Sequence, residues 1–124
     1  MITCIDEVEI IKQPISGEYK ERIYEIDTVC FSNIWTWIKF TNLDSSQWCS
    51  SFRGEAISCY LLREKKEVIL LTSDYLIRLN SQNGDIIETE GFHCYKHLTL
   101  SPKNEVILAD YYHIFRVDNS LVNK

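Results

Sequence analysis

The sequence EVILLTSDYLIRLN at positions 67–80 returns in outline as EVILADYYHIFRVD at positions 105–118. The two stretches lie 38 positions apart, and both begin with Glu-Val-Ile-Leu. Each joins a short apolar run to a second apolar segment that ends in polar residues, which is typical of neighbouring strands in an antiparallel sheet. Because self-similarity at a period of about 20–50 residues indicates repeated supersecondary units, we interpret the two stretches as copies of one β unit.

A weaker match lies upstream, where WIKFTN at 37–42 resembles LIRLNS at 76–81. Any amphipathic strand that ends in a turn has this pattern, so the match is either a third copy or a coincidence. Taken as a copy, it divides one domain of 124 residues into an N-terminal segment and three units, the last of them truncated. The N-terminal segment is 1–27, and the units are 28–66, 67–104 and 105–124.

These patterns predict an all-β, mainly antiparallel fold with at most one short helix. We expect the units, each 38–39 residues long, to form a curved sheet, a sandwich, or a partial propeller or barrel. Imperfect alternation at 3–11 indicates an edge strand. The segment 18–26 fits either a helix or a strand, and we favour a strand.

The segment LNSQNGDII at 79–87 resembles the outer hairpin of a β-propeller blade. Asn83 and Gly84 both tolerate positive φ, so they can close this hairpin tightly. The unit of 38 residues is also similar in length to one blade. Three blades are too few for an ordinary closed ring, so the resemblance implies an open fragment. Such a fragment could complete itself as a homodimer through its open sheet edges.

Composition excludes several classes of function. The chain has 18 acidic and 13 basic residues, and this net charge of −5 disfavours nucleic acid as a partner. No apolar run is long enough for a membrane span, and the acidic start MITCIDE lacks the basic and apolar parts of a signal peptide. Five cysteines without a Cys-x-x-Cys motif indicate reduced thiols, and we therefore expect a cytoplasmic protein.

No sequence pattern for catalysis or for a cofactor is present. The chain has no Gly-rich phosphate loop, no Gly-x-Ser-x-Gly motif and no His-Glu-x-x-His motif. His93 and His97 would lie roughly 13 Å apart on a strand, too far to share one metal ion with Cys94. We therefore expect no enzyme, no cofactor and no metal. The alternative is a small hydrolase or RNase that uses His93, Cys94 and His113.

Acidic residues are concentrated in two segments. Segments 1–27 and 67–90 each carry a net charge of −4. If the segments lie side by side, they form a negative face that would steer a basic partner; otherwise their carboxylates only solvate the outside of a sheet. Trp35 and Trp37 share one strand face, and we expect at least one to be buried between sheets. If exposed, they would form an interface hot spot.

The small acidic domain without catalytic residues resembles the bacterial immunity proteins that neutralise contact-dependent or polymorphic toxins. The resemblance rests on size, acidity, reduced cysteines and the absence of catalytic residues. It implies stoichiometric capture of a basic protein, such as a nuclease toxin domain, without nucleic acid, membrane or cofactor. A self-associating scaffold protein is the alternative. The residues that we expect to contact the partner are Asp74, Asp85, Glu88, Glu90, Trp48, Tyr111 and Tyr112.

Overall fold

The computed structural model describes residues 4–26, 33–91, 95–103, 105–110 and 114–117. All regular elements in these ranges are strands, so the predicted all-β fold is confirmed. This part of the chain contains no helix, and therefore none that could span a membrane. The strands are β1 (Ile5–Ile11), β2 (Lys20–Glu21), β3 (Trp35–Asn42), β4 (Gln47–Arg53), β5 (Ala56–Leu62), β6 (Glu67–Thr72), β7 (Tyr75–Asn80), β8 (Ile86–Gly91), β9 (His97–Leu100), β10 (Val106–Ala109) and β11 (Ile114–Val117).

The strands form three open sheets. The first sheet has the order β1-β3-β4-β2, the second β5-β6-β7-β8 and the third β9-β10-β11. Every strand pair is antiparallel except β2 with β4. As predicted, the first strand is an edge strand, because β1 pairs only with β3 among the described strands.

The second sheet is covered on both faces. All six residues of β6 are buried, and they alternate between two cores. Val68 and Leu70 pack with the first sheet, whereas Ile69 and Leu71 pack with the third. The continuous apolar run that begins at Val68 is therefore the sequence of a strand buried on both sides. The three sheets form a stack with the second sheet in the middle.

The downstream repeat corresponds to equivalent strands. A shift of 38 positions superimposes β5, β6 and β7 on the segments that contain β9, β10 and β11. In each set the middle strand pairs with both of its neighbours. The predicted hairpin is also present, since the Asn83-Gly84 turn connects β7 to β8 and Gly84 has a φ of 77°.

The upstream match, by contrast, does not correspond to equivalent strands. β3 lies in the second position of its sheet, next to β1, whereas β7 lies third in its own. The strands β1, β5 and β9 each lie at one edge of their sheet, and β5 contacts both of the others across the stack. Because β3 is next to β1 and β6 is next to β5, β3 is the counterpart of β6. The similarity of 37–42 to 76–81 thus reflects only two amphipathic strands that end in turns. The second sheet also begins at β5, before position 67, and the third begins at β9, before position 105.

The expectation that Trp35 or Trp37 is buried between sheets was wrong. Trp35 is 49% exposed and Trp37 is half-buried, and neither belongs to a core. On β3 the core side chains are Ile38 and Phe40, which alternate with the tryptophans and therefore point the other way.

The strand that we favoured for the segment 18–26 is present in only two residues, which form β2. Directly after β2, the backbone N–H of Arg22 donates to the carbonyl of Cys49 (2.9 Å).

One buried hydroxyl, in the core between the first and second sheets, predicts a stabilising substitution. Ser50 is fully buried on β4, and its Oγ makes no hydrogen bond with a described residue. A buried polar group without a partner costs about 1–3 kcal/mol. We expect Ser50→Ala to raise the free energy of unfolding by about 1 kcal/mol, measured by urea denaturation. The control is Ser51→Ala on the opposite face of the strand, which should change it by less than about 0.5 kcal/mol. A clear loss of stability in Ser50→Ala would contradict this account of the core.

Candidate functional site

Two residues that we expected to contact a partner are buried. Trp48 is 6% exposed, and its ring stacks on Phe40 with 4.1 Å between the ring centroids. Asp74 is 5% exposed in the turn between β6 and β7, where its backbone N–H donates to Thr72 Oγ1. The expectation that both present themselves at the surface was wrong. Trp48 follows turn-rich sequence but is already the second residue of β4, so it faces the core.

The remaining predicted carboxylates do not form one face. Asp85 pairs with Arg22, on the side of the first sheet (2.7 Å). Glu88 instead pairs with Arg78 at 2.9 Å, and Arg78 also binds Glu67. Glu90 lies opposite Leu76, a residue of the core shared with the third sheet, and directly opposed residues share a face. Glu88 and Glu90 thus lie on the face of β8 towards the third sheet, whereas Asp85 lies on the side of the first sheet.

Other sequence candidates lie outside the described residues. These are the two tyrosines predicted for partner contact and the three residues of the hydrolase alternative. Among the described residues, no group of three or more His, Cys, Asp or Glu side chains is placed to hold a metal ion. The candidates outside the described residues are Tyr111, Tyr112, His93, Cys94 and His113.

A cleft of about 490 Å³ lies between the N-terminal segment and the turn from β3 to β4. We call it the Trp48 cleft, because Trp48 is one of its lining residues. Asp85 lies beside it through its ion pair with Arg22, so the cleft brings two of the predicted residues close together. Its lining residues are Lys20, Glu21, Arg22, Asn42, Asp44, Ser46, Gln47 and Trp48.

A chain of hydrogen bonds connects the wall of the cleft to a carboxylate at its rim. Trp48 Nε1 donates to Asn42 Oδ1 (3.0 Å), and Asn42 Nδ2 donates to Ser46 Oγ (3.0 Å). Ser46 in turn donates to Asp44 Oδ1 from both its hydroxyl and its backbone N–H. These two bonds from Ser46 lower the pKa of Asp44, so this exposed side chain remains an anion.

The opposite wall is fastened to the second sheet through the hairpin between β7 and β8. Arg22 donates to the carbonyl of Asn83 (2.9 Å) as well as binding Asp85, and its guanidinium lies 4.8 Å from the centre of the Tyr24 ring. Tyr24 Oη donates to the carbonyl of Gly84 (2.6 Å). Burial raises the pKa of Tyr24 to about 12, so the phenol keeps the proton that this bond requires.

The Trp48 cleft carries a small excess of negative charge. Its rim has the bases Lys20 and Arg22 and the acids Glu21 and Asp44, and Asp85 neutralises Arg22. Glu21 and Asp44 are exposed, and neither forms an ion pair with a described residue. Glu21 lies opposite Cys49 in the register of β2 with β4, so it points to the face opposite to that of Trp48, whereas Lys20 lies opposite Trp48. Asp44 is therefore the exposed carboxylate that the hydrogen bonds connect to the Trp48 side of the cleft.

Sequence reasoning missed most of this site. The turn motif Asn42-x-Asp44-x-Ser46 was a usable signal, because Asn, Asp and Ser between two strands make local hydrogen bonds. The position of Arg22 had no such signal. Its partners Asn83 and Asp85 lie more than 60 positions away, and the parallel pairing of β2 with β4 is non-local.

Comparisons of this chain with protein-family models, with curated proteins and with solved structures found no match. The residues of the Trp48 cleft therefore supply the evidence for a function.

The contact between Gly84 and the N-terminal segment predicts a difference between two glycine substitutions. A Cβ at Gly84 would lie 2.7 Å from Arg22 Nη1, whereas a Cβ at Gly17 would meet nothing within 4 Å. Both glycines have positive φ, 77° and 86° respectively. We expect Gly17→Ala to lower the free energy of unfolding by about 1 kcal/mol through backbone strain. Gly84→Ala should lower it by about 2 kcal/mol, because the end of the Arg22 side chain must also move and its bonds to the hairpin are weakened.

Urea denaturation of the two variants measures this difference. Equal losses in Gly84→Ala and Gly17→Ala would show that Arg22 does not pack on the hairpin.

Proposed function

We propose that this chain is a protein-binding inhibitor of the bacterial immunity type, which captures a basic protein partner through the Trp48 cleft. A lysine or arginine side chain of the partner enters the cleft. Its cationic group lies beside Asp44, and its aliphatic part lies along the cleft. The single observation that carries the proposal is the placement of the exposed Asp44 carboxylate at the rim of this cleft.

The chemistry of the cleft suits an amphipathic cation. Lysine and arginine combine an apolar stem with a charged end, and both bury the stem while the charge finds a polar partner. A volume of about 490 Å³ leaves room for one such side chain. Asp44 supplies a charge that does not depend on the partner, because Ser46 already holds it in its ionised form. A charge-assisted hydrogen bond to this carboxylate is stronger than a neutral one.

The whole-chain charge supports the same kind of partner. A net charge of −5 attracts a basic surface at long range and speeds encounter at low salt. Nuclease toxins bind phosphate through basic clefts, so an acidic protein that covers such a cleft excludes the nucleic acid. The mechanism is stoichiometric capture in the cytoplasm of the producing cell, and it needs no catalytic residue in the inhibitor.

The proposal predicts that the Asp44 carboxylate determines affinity. The partner to test is the product of the gene beside this one, assayed for nuclease activity and titrated against the inhibitor. Wild-type protein should abolish the activity at one equivalent. Asp44→Asn should raise the inhibition constant about tenfold, because it removes a charged partner from a cation in the cleft.

Glu64→Gln is the matched control. Glu64 is an exposed carboxylate in the turn between β5 and β6, away from the Trp48 cleft, and its loss should change the inhibition constant less than twofold. Inhibition that is equally strong in Asp44→Asn and in Glu64→Gln would contradict the role of the cleft. Failure to inhibit at any ratio would contradict the proposed class of function.

A further inference from the structure

Two sheet faces at the ends of the stack resemble faces that are buried inside it. The second sheet packs against a sheet on each side, whereas the described part of the chain covers only one face of the first sheet and one face of the third. We call the outer face of the first sheet, with Ile11, Trp35 and Trp37, the first end face. We call the outer face of the third sheet, with Ile107, Ala109 and Ile114, the second end face.

The first end face is rich in aromatic and aliphatic side chains. Trp37 lies opposite Ile11 in the strand register, and Trp35 at the end of β3 is 49% exposed. A groove of about 530 Å³ is lined by Ile11, Trp35 and Trp37, together with residues at the edge of the sheet. Exposed aromatic clusters of this kind mark protein interfaces rather than ordinary surface.

The second end face repeats a surface that is buried in the preceding unit. The shift of 38 positions places Ile107 on Ile69 and Ile114 on Leu76. Ile69 and Leu76 are fully buried against the third sheet, but Ile107 is half-buried and Ile114 is 78% exposed. Ala109 lies directly opposite Ile114 and so shares its face. The second end face therefore keeps the apolar character of a sheet that packs on another sheet.

The two contacts between sheets use equivalent faces: in each, a sheet covers the following sheet with the same face. The first sheet uses the face with Ile38 to cover the second, and the second uses the face with Ile69 to cover the third. Ile38 and Ile69 belong to β3 and β6, which hold the same position in their sheets. A third contact built in the same way would join the second end face to a first end face. Within one chain these two faces lie at opposite ends of the stack, so another copy has to supply the missing face.

The charges on the first end face are balanced. Glu9 lies opposite Lys39 and pairs with it (3.0 Å), and the guanidinium of Arg53 lies 4.2 Å from the centre of the Trp35 ring. The charge of this face therefore does not oppose contact with the second end face, and the apolar side chains favour that contact.

We propose that two copies of this chain associate head to tail, each placing its first end face on the second end face of the other. The two contacts are equivalent by two-fold symmetry and close a ring of six sheets, so association stops at the dimer. Trp48 and Asn42 of the Trp48 cleft lie on the inner face of the first sheet. The dimer goes beyond the proposed inhibition and does not depend on it.

The test is the mass of the full chain in solution, measured by sedimentation velocity over a range of concentrations. Wild-type protein should reach the mass of a dimer. Trp35→Arg and Ile114→Arg should each raise the dimer dissociation constant at least tenfold, because each places a charge in both contacts of the ring. The control is Ile87→Arg, which replaces an isoleucine that is 44% exposed on β8, outside both end faces, and it should leave the constant unchanged.

Mixing the two variants distinguishes unlike faces from like faces. A Trp35→Arg copy still has its second end face, and an Ile114→Arg copy still has its first, so an equimolar mixture should form a heterodimer through one intact contact. Circular dichroism checks that both variants fold, and Trp35→Ser with Ile114→Ser repeats the test if an arginine variant does not fold. Wild-type protein that stays monomeric, an effect of only one of the two variants, or a mixture that stays monomeric would each overturn the proposal.

Discussion

Burial of both faces of the second sheet is the constraint on which the rest of the structure depends. Its middle strand β6 has no residue exposed to solvent, so two other sheets must cover it. Each fully buried Val, Leu or Ile side chain stabilises the fold by roughly 1.5–3 kcal/mol, and β6 contributes four of them, Val68 to Leu71. The first and third sheets pack on this strand and on its neighbours β5 and β7. The outer faces of the first and third sheets, in contrast, have no such requirement.

The polar groups in the second sheet are consistent with this arrangement. Arg78 lies on a largely buried sheet, where an unpaired charge would be costly, and it bonds to both Glu67 and Glu88. Part of the negative charge of this segment therefore pairs with Arg78 within the fold. That is why the acidic segment 67–90 does not act as one outward face, although its composition suggested that it might provide one.

The sequence predicted the fold more fully than the site. The repeated EVIL stretches and the Asn83-Gly84 turn are local signals, and both correspond to the observed strands and hairpin. The orientation of individual side chains was harder to predict, because it depends on which face of a strand meets another sheet. The predictions for Trp35 and Trp48 failed for this reason. Burial was expected for Trp35 or Trp37 and exposure for Trp48, but Trp35 is half exposed and Trp48 is buried. A one-residue difference in strand phase decides between these outcomes.

The Trp48 cleft was beyond prediction for a different reason. It forms where the N-terminal segment crosses to the hairpin between β7 and β8, and no local pattern in the sequence reports a contact between Arg22 and Asp85. The Trp48 cleft and the two end faces all lie outside the doubly covered sheet.

Native-state hydrogen exchange, followed residue by residue with NMR, tests the central position of the second sheet most directly. Amides of β6 and β7 should be the slowest in the chain and should exchange only through global unfolding, with a free energy equal to that from urea denaturation. Amides of the two-residue strand β2 should exchange much faster, through local opening. If the amides of β6 exchanged as fast as those of the edge strand β1, the second sheet would not be the buried centre of the fold.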